Sequence, residues 1–270
     1  MASSNRLRMQ DWRTIVRLAG ECRDLGDSPD AWRLHFAERV GRWVSGDLCY
    51  FGEMSHCSTL QPNDLGVTDW GWEAGFDRTS WLPMVQQFRE ESKCVRTVSA
   101  YLERLLAEEG LCLSRTAFLH DREWESSSDA QISRAIGTDH AAFCFLRIPG
   151  TPEHHSVLQF HRGQDSPDFR ERDLAFVREA HAALAPLIGN ALARFSEPSP
   201  NQLPPRYRRV LACILEGDGD KQIAARLGVS PYTVNEYAKG IFRHFQVNGR
   251  SELLARWIRR GWGRTMAWNE

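Results

Sequence analysis

Asp220-Lys-Gln-Ile-Ala-Ala-Arg-Leu-Gly-Val-Ser-Pro-Tyr-Thr-Val-Asn-Glu-Tyr-Ala-Lys-Gly-Ile-Phe-Arg-His-Phe245 decides the reading of this 270-residue chain. Ile223, Ala224 and Leu227 fall on one face of a short helix, and Gly228 ends it. Ser230 supplies a cap for the next helix, with Pro231 at its first position. Along that second helix Val234, Ile241 and Phe245 recur at i, i+7 and i+11, with Tyr237 and Ala238 between them. Small Ala224 permits a close helix crossing, and Gly228 four residues later permits the backbone of a tight turn. A turn of about three residues between helices at about 90–120° leaves the outer face of the second helix free. That face carries Tyr232, Thr233, Asn235, Glu236, Lys239 and Arg243, a polar set with more basic than acidic residues, suited to a DNA groove.

Upstream, Arg206–Leu215 is a helix whose apolar face is Val210, Leu211, Ile214 and Leu215, broken by Glu216-Gly-Asp-Gly219. Charge divides the chain at the same place. Residues 1–199 carry 22 Lys and Arg against 29 Asp and Glu, whereas residues 200–270 carry 12 against 6. An acidic body followed by a basic piece points to a polyanionic partner for the latter. Spacing and charge together favour DNA binding over an ordinary helical hairpin with a solvated face.

Ser196-Glu-Pro-Ser-Pro-Asn-Gln-Leu-Pro-Pro205 reads as a stiff linker, because its four prolines fit neither a helix interior nor a central strand. The domains expected are therefore 1–195, a linker 196–205, and 206–270.

Before the linker, helix and strand patterns mix. Trp12, Ile15, Val16 and Ala19 have helical spacing. So do Trp32, Phe36, Val40 and Trp43, after an Asp27-Ser-Pro-Asp30 start signal. Leu48–Phe51, Thr68–Trp72, Leu111–Leu119, Ala141–Ile148 and Ser156–His161 read as strands, with a turn at Pro149–Glu153 between the last two. Residues 82–106 read as mostly helical. Phe169–Phe195 reads as one long helix kinked at Pro186. Two leading helices, an antiparallel set of five strands and a closing helix make an α+β domain with flanking helices, one sheet face packed and the other holding a pocket or a partner.

Several classes are excluded. No apolar run reaches the ~18 residues of a membrane helix, and the polar N-terminus lacks a secretory h-region. Seven scattered cysteines without a CxxC pair form neither a disulfide framework nor a zinc site. They suit a reduced, cytoplasmic protein. His56–Cys57 and His154–His155 lack ligand spacing, so no metal and no cofactor is expected. No nucleophile elbow, phosphate loop or metal motif is present, so no catalytic residue is assigned and an enzyme is not expected.

Residues 203–257 resemble the LuxR/GerE-type helix-turn-helix domain of bacterial transcription factors. Leu203, Arg206, Val210-Leu211, Gly217, Lys221, Ile223-Ala224, Leu227-Gly228, Ser230, Thr233-Val234, Ile241, Val247, Arg250 and Glu252-Leu253 fall in family register. The resemblance implies an all-α four-helix domain that binds double-stranded DNA through its third helix, about Pro231–Phe245. The fourth, about Ser251–Arg260, is implied at a dimer contact. Asn235, Glu236 and Lys239 would face the bases. Lys221, Thr233, Tyr237 and Arg243 would meet phosphate, and Tyr232 joins the DNA-facing set. Tyr207 and Arg209 stand where the family has acidic residues. Asn235 and Tyr237 replace its usual basic residue and His, so the DNA site is expected to differ from the family average.

For residues 1–195 a receiver domain is excluded, because its acidic pair and βα alternation are missing. An acyl-homoserine-lactone sensor is disfavoured by the spacing of Trp70, Trp72, Asp77 and Trp81. A GAF/PAS-like regulatory domain fits the late strand–turn–strand–helix order best. Trp70, Trp72, Trp81, Trp124, Cys144 and His161 are candidates to line a small-molecule pocket, although buried aromatics are more often core. The other role is homodimerisation through the long helix 169–195, as a coupling rod into the linker. The expectation is thus a cytoplasmic, dimeric DNA-binding regulator. The rival reading is an interaction or small-molecule-sensing module without specific DNA binding.

Overall fold

The computed structural model describes residues 6–26, 28–91, 96–151, 153–195, 200 and 203–260. Helices α1 (Met9–Asp24) and α2 (Pro29–Val44) lead into strands β1 (Leu48–Ser55) and β2 (Asn63–Trp70). Helices α3 (Arg78–Glu91) and α4 (Arg96–Ala107) follow, then the short strand β3 (Cys112–Ser114). Next come α5 (Asp121–Glu125), α6 (Ser128–Ile136), β4 (Thr138–Arg147), β5 (His154–Gly163) and α7 (Glu171–Leu184). The strands form one antiparallel sheet in the order β2-β1-β5-β4-β3.

The period of two along a strand sorts these side chains onto two faces. Cys49 and Phe51 of β1, Ala142 and Cys144 of β4, and Leu158 and Phe160 of β5 pack against Ile15 and Leu18 of α1, Trp32 and Phe36 of α2, and Phe176 and Ala180 of α7. Helix α2 starts where its sequence signal lies: the Ser28 hydroxyl accepts from the Ala31 amide at 3.3 Å, and Pro29 follows it. The opposite sheet face carries Tyr50, Ala141, Phe143, Phe145 and Val157 beneath α3, α4 and α6.

The C-terminal region is all helix: α8 (Pro205–Leu215), α9 (Asp220–Leu227), α10 (Pro231–His244) and α11 (Arg250–Arg260). Its core joins Val210, Leu211 and Ile214 of α8, Ile223 of α9, Val234 and Ile241 of α10, Phe245, and Leu253 and Trp257 of α11. Phe195, the last described residue before the proline-rich stretch, packs into this cluster.

Three expectations need correction. Phe169–Phe195 is not one helix. Helix α7 stops at Leu184, a single 3-10 turn covers Ala185–Leu187, and the chain reverses so that Ile188 bridges Leu192. Pro186 has no N–H to continue the ladder, and Gly189 takes φ +88° in the reversal. The coupling rod therefore does not exist. Leu111–Leu119 gives only the three residues of β3, since Arg115–Ala117 turns into 3-10 helix. The sheet also has helices on both faces, with α6 unforeseen; Ser127 caps it by accepting from the Ala130 amide at 3.2 Å. Asp27, Pro152 and residues 196–199, 201 and 202 of the expected signals and linker lie outside the described residues.

Candidate functional site

Gly228 closes α9 at φ +66°, and the Val229 amide bonds back to the Ala224 carbonyl at 3.1 Å. This left-handed step favours glycine and sets the turn. Two residues on, the Ser230 hydroxyl accepts from the Thr233 amide at 3.0 Å and so fixes the N-terminus of α10. Val234, Ala238 and Ile241 are buried against α8 and α9. The rest of α10 is thereby turned outward.

On that outer face Tyr232 is 76% exposed, and Asn235, Glu236, Lys239 and Arg243 are exposed beside it. Lys221 is exposed in the first turn of α9. Lys239 meets Glu236 at 2.9 Å, and this hydrogen bond raises its pKa. The pair is solvated and readily broken by a stronger anion. Thr233 is half-buried with its hydroxyl 2.8 Å from that of Ser230, so it serves the cap. Tyr237 is half-buried too, its ring 5.0 Å from Tyr207.

Tyr207 joins α8 to α10. It lies over Gly240, where a Cβ would stand 2.3 Å from the Tyr207 ring. An aromatic wedge thus fills the space between α8 and α10. The loop between α8 and α9 is held by charge instead. Arg226 bonds Glu216 and also Asp218 at 3.1 Å, and Arg250 reaches Asp220 at 2.9 Å and the Asp218 carbonyl.

A second candidate site lies in the N-terminal domain. A cavity of about 140 Å³ opens between the sheet and α3, α4 and α6. Trp81, Met84 and Val85 of α3, Val98 of α4, Trp124, and Ile132 and Ile136 of α6 form its apolar walls. Tyr50, Gln159 and His161 line its sheet side with Phe143 and Val157. Of the expected lining residues, Trp81, Trp124 and His161 are there. Trp72 packs behind, 5.3 Å from Trp81. Trp70 and Cys144 belong to the opposite face, where Trp70 lies against Gly41 of α2 and Cys144 faces His181 of α7.

Sequence reasoning missed Tyr50 and Gln159. The period of β5 was the available signal, since it places Gln159 on one face with Val157 and His161. Gln159 is 9% exposed, and it stands directly across the ladder from Tyr50 on one side and Phe143 on the other. Neither its carboxamide nor the Tyr50 hydroxyl has a hydrogen-bond partner among the described residues, and His161 Nε2 is buried without one. Burial lowers the His161 pKa to about 4, and raises that of Tyr50 well above its ordinary value. All three groups are thus uncharged at neutral pH.

Three of the carboxylates near the cavity bond to the protein itself, while Asp139 at its rim lies 3.8 Å from His140. Asp129 Oδ2 accepts from the Thr97 amide at 2.6 Å and its hydroxyl at 2.5 Å, capping α4. Asp64 accepts from the Gly66 amide at 2.9 Å. Glu53 turns through the sheet to the other face, against Arg33. No group of three His, Cys, Asp or Glu side chains able to hold a metal occurs among the described residues, and no described helix is long and apolar enough to cross a membrane.

Residues 201–256 match the GerE family, bacterial regulatory proteins of the luxR family. No curated protein matches the chain at a significant level. Among solved structures, SdiA in complex with octanoyl-rac-glycerol is 14% identical with a TM-score of 0.38, covering 93% of this chain and 93% of that one. Escherichia coli SdiA in another crystal is 17% identical with a TM-score of 0.33, covering 84% and 90%. The N-acylhomoserine lactone dependent LuxR family factor CepR2 from Burkholderia cenocepacia is 12% identical with a TM-score of 0.45, covering 68% and 96%. Likenesses this low assign no ligand to the cavity. The family register, the left-handed Gly228 turn and the capped α10 agree, and residues 201–256 are a GerE domain of the luxR family of bacterial regulatory proteins.

Proposed function

We propose that this chain is a bacterial DNA-binding transcriptional regulator that reads the major groove with α10. The observation that carries this is the division of α10 into two faces. Val234, Ala238 and Ile241 are buried on one, while Tyr232, Asn235, Glu236, Lys239 and Arg243 stand exposed on the other. Asn235 suits adenine, Lys239 guanine or phosphate, and Glu236 cytosine once its bond to Lys239 is exchanged for a base. Lys221 and Arg243 flank this row and suit phosphates. Thr233 and Tyr237 contribute by holding α10 in place, and through their exposed edges.

In this reading residues 1–195 are a GAF/PAS-like regulatory domain, 196–205 a linker, and 206–270 the DNA-binding domain. The five-stranded antiparallel sheet between two helical layers supports the first assignment. A dimer would place two α10 helices about 34 Å apart on a pseudo-palindrome. Such a protein works in the cytoplasm and needs no catalytic group.

Selection of random duplex DNA on the purified full chain, beside fragment 200–270, tests the proposal. A two-fold symmetric motif is expected. Asn235→Ala and Lys239→Ala should each weaken specific binding by about 1–3 kcal/mol, and affinity should fall steeply with salt. Failure of both proteins to enrich any sequence, or an affinity indifferent to salt, overturns it.

A further inference from the structure

β3 and β4 set two cysteines directly opposite each other. Cys112, the first residue of β3, pairs with Cys144 of β4 in the antiparallel ladder. Opposite residues of such a ladder point to one face, with Cα atoms about 4.5 or 5.5 Å apart. Both spacings lie inside the ~4.4–6.8 Å window that a disulfide spans. The two side chains share the face toward α7: Cys144 lies in that core, and Cys112 packs against the same cluster. Their thiols interact directly. No disulfide joins the described cysteines, and no other two of them stand across a ladder.

Access differs between the two, and the difference gives each a role. Cys144 is 0% exposed, with His181 Nδ1 3.4 Å from its sulfur. Burial holds its pKa well above the ordinary thiol value, and the Cys112 side chain adds to this. Cys144 is therefore a neutral thiol and a poor first nucleophile. Cys112 is only half-buried, and it opens an edge strand three residues long. A solute reaches Cys112 first, and a second thiol already stands behind it to complete the reaction. Short-lived disulfides of this kind are the ones a reducing compartment permits.

We propose that Cys112 and Cys144 are a thiol pair that hydroperoxides convert to a reversible cross-strand disulfide. In the first step the Cys112 sulfur attacks the outer oxygen of ROOH. An S–O bond forms, the O–O bond breaks, and the alkoxide leaves as ROH with the thiol proton. Cys112 is then a sulfenic acid, oxidised by the two electrons that reduce the peroxide. In the second step the Cys144 sulfur attacks that of Cys112. The S–S bond forms, the S–O bond breaks, and hydroxide leaves as water with the Cys144 proton. Two thiols and one hydroperoxide thus give a disulfide, an alcohol and water. A dithiol reductant restores the pair by exchange. The new bond closes a loop over residues 113–143, which holds α5 and α6, and clips an edge strand otherwise held by three ladder pairs.

The test uses the reduced full-length protein and hydrogen peroxide, with no DNA present. The thiol titre should fall by two from the seven of the chain. Tryptic mapping should show peptides 105–115 and 135–147 joined, and dithiothreitol should separate them. The oxidised form should melt about 4 °C or more above the reduced one, because the cross-link restricts the unfolded chain. In Cys144→Ser the joined pair should disappear, and dimedone should trap the sulfenic acid on peptide 105–115. In Cys112→Ser peroxide should leave Cys144 unmodified and the melting temperature unmoved. The wild-type map decides by itself should a variant fail to fold.

Absence of the joined peptides, at a peroxide dose that consumes added free cysteine, overturns the proposal. So does a bond between Cys112 residues of two copies, wild-type oxidation that stops at Cys112, or an oxidised form that melts below the reduced one. A bond formed by glutathione disulfide and not by peroxide overturns the oxidant class. None of these measurements reads DNA binding, so this inference and the proposed function fail separately.

Discussion

The two faces of the one sheet treat polar side chains differently. Toward α1, α2 and α7, Glu53 is fully buried yet richly bonded. It pairs with Arg33 and Arg194, and accepts from the Phe195 amide at 3.2 Å. Arg33 lies over the rings of Trp32 and Phe195, each 4.1 Å from its guanidinium carbon. His181 on the same face is 2.7 Å from the Ser156 hydroxyl. Toward α3, α4 and α6, Tyr50 is held by ring contacts with Trp81 and His161, and neither its hydroxyl nor the Gln159 carboxamide hydrogen-bonds a described residue. Neighbouring residues of the same strands thus feed an ion-paired cluster, in which Arg33 Nε and Nη1 still lack hydrogen bonds, and a polar row on the cavity wall.

Removing Glu53 should break the filled face most severely. Glu53→Leu would take from the buried Arg33 the carboxylate it bonds, at a cost of about 3–5 kcal/mol. Burial already lowers the Arg33 pKa to about 10, which shows how strongly that site disfavours an unpaired cation. Urea unfolding at neutral pH measures the loss. A change under about 1 kcal/mol would mean that the pair is not buried in solution. Phe195 bonds Glu53 through its amide and packs its ring with the C-terminal core, so the same variant should also loosen the contact between the two halves.

Acid comes next. Burial among Cys144, Ser156, Phe51 and Arg33 lowers the His181 pKa from its ordinary 6.5 to about 3. The folded pKa lies below the unfolded one, so the unfolded chain takes up a proton that the folded chain refuses. Stability is unaffected above about pH 6.5 and falls below it, by about 1.4 kcal/mol per pH unit until about pH 3. By pH 4.5 the loss from His181 alone is about 3 kcal/mol. His161 adds to the slope down to about pH 4. Unfolding curves from pH 7 to 4.5 should show this slope, and His181→Gln should flatten it. An unchanged slope in the variant would place His181 in contact with water.

These contrasts were unequally legible in the sequence. The helix-turn-helix could be read almost residue by residue, because its information is local: Ala224, Gly228, Ser230 and Val234 act within about a dozen residues of one another. β4 and β5 were legible for the same reason, being a hairpin with strong alternation. The end of α7 was not. Pro186 suggested a kink, while the reversal depends on Gly189 and on contacts of Ile188 and Leu192 with a distant core. The cavity was half legible. Trp81, Trp124 and His161 could be named as aromatic candidates, but Gln159 matters only because of which strands flank it, and that is tertiary information.

The Tyr207 wedge sharpens the comparison within the C-terminal domain, whose core resembles the filled face. Gly240→Ala would drive a methyl into the Tyr207 ring and should cost about 1–3 kcal/mol. Adding Tyr207→Ala should recover part of that loss, measured as a non-additive double-mutant cycle on fragment 200–270. Strict additivity would show that the two residues do not touch.

The smallest expected effect is the most telling for the contrast between faces. Gln159 is as deeply placed as many core residues, at 9% exposure, and a typical buried glutamine cannot be replaced by leucine without leaving its partners unsatisfied. Here no protein hydrogen-bond partner exists to be orphaned, and leucine, one bond shorter, has a comparable bulk. Gln159→Leu should therefore shift the free energy of unfolding by less than about 0.5 kcal/mol, or raise it, since no protein hydrogen bond is lost and apolar contact with Tyr50, Phe143 and Val157 is gained. Paired urea titrations with Glu53→Leu make the comparison direct, as both residues lie on adjacent strands of one sheet. A loss above about 1.5 kcal/mol would mean that the Gln159 side chain is bonded within the protein after all, and that the two faces follow one rule.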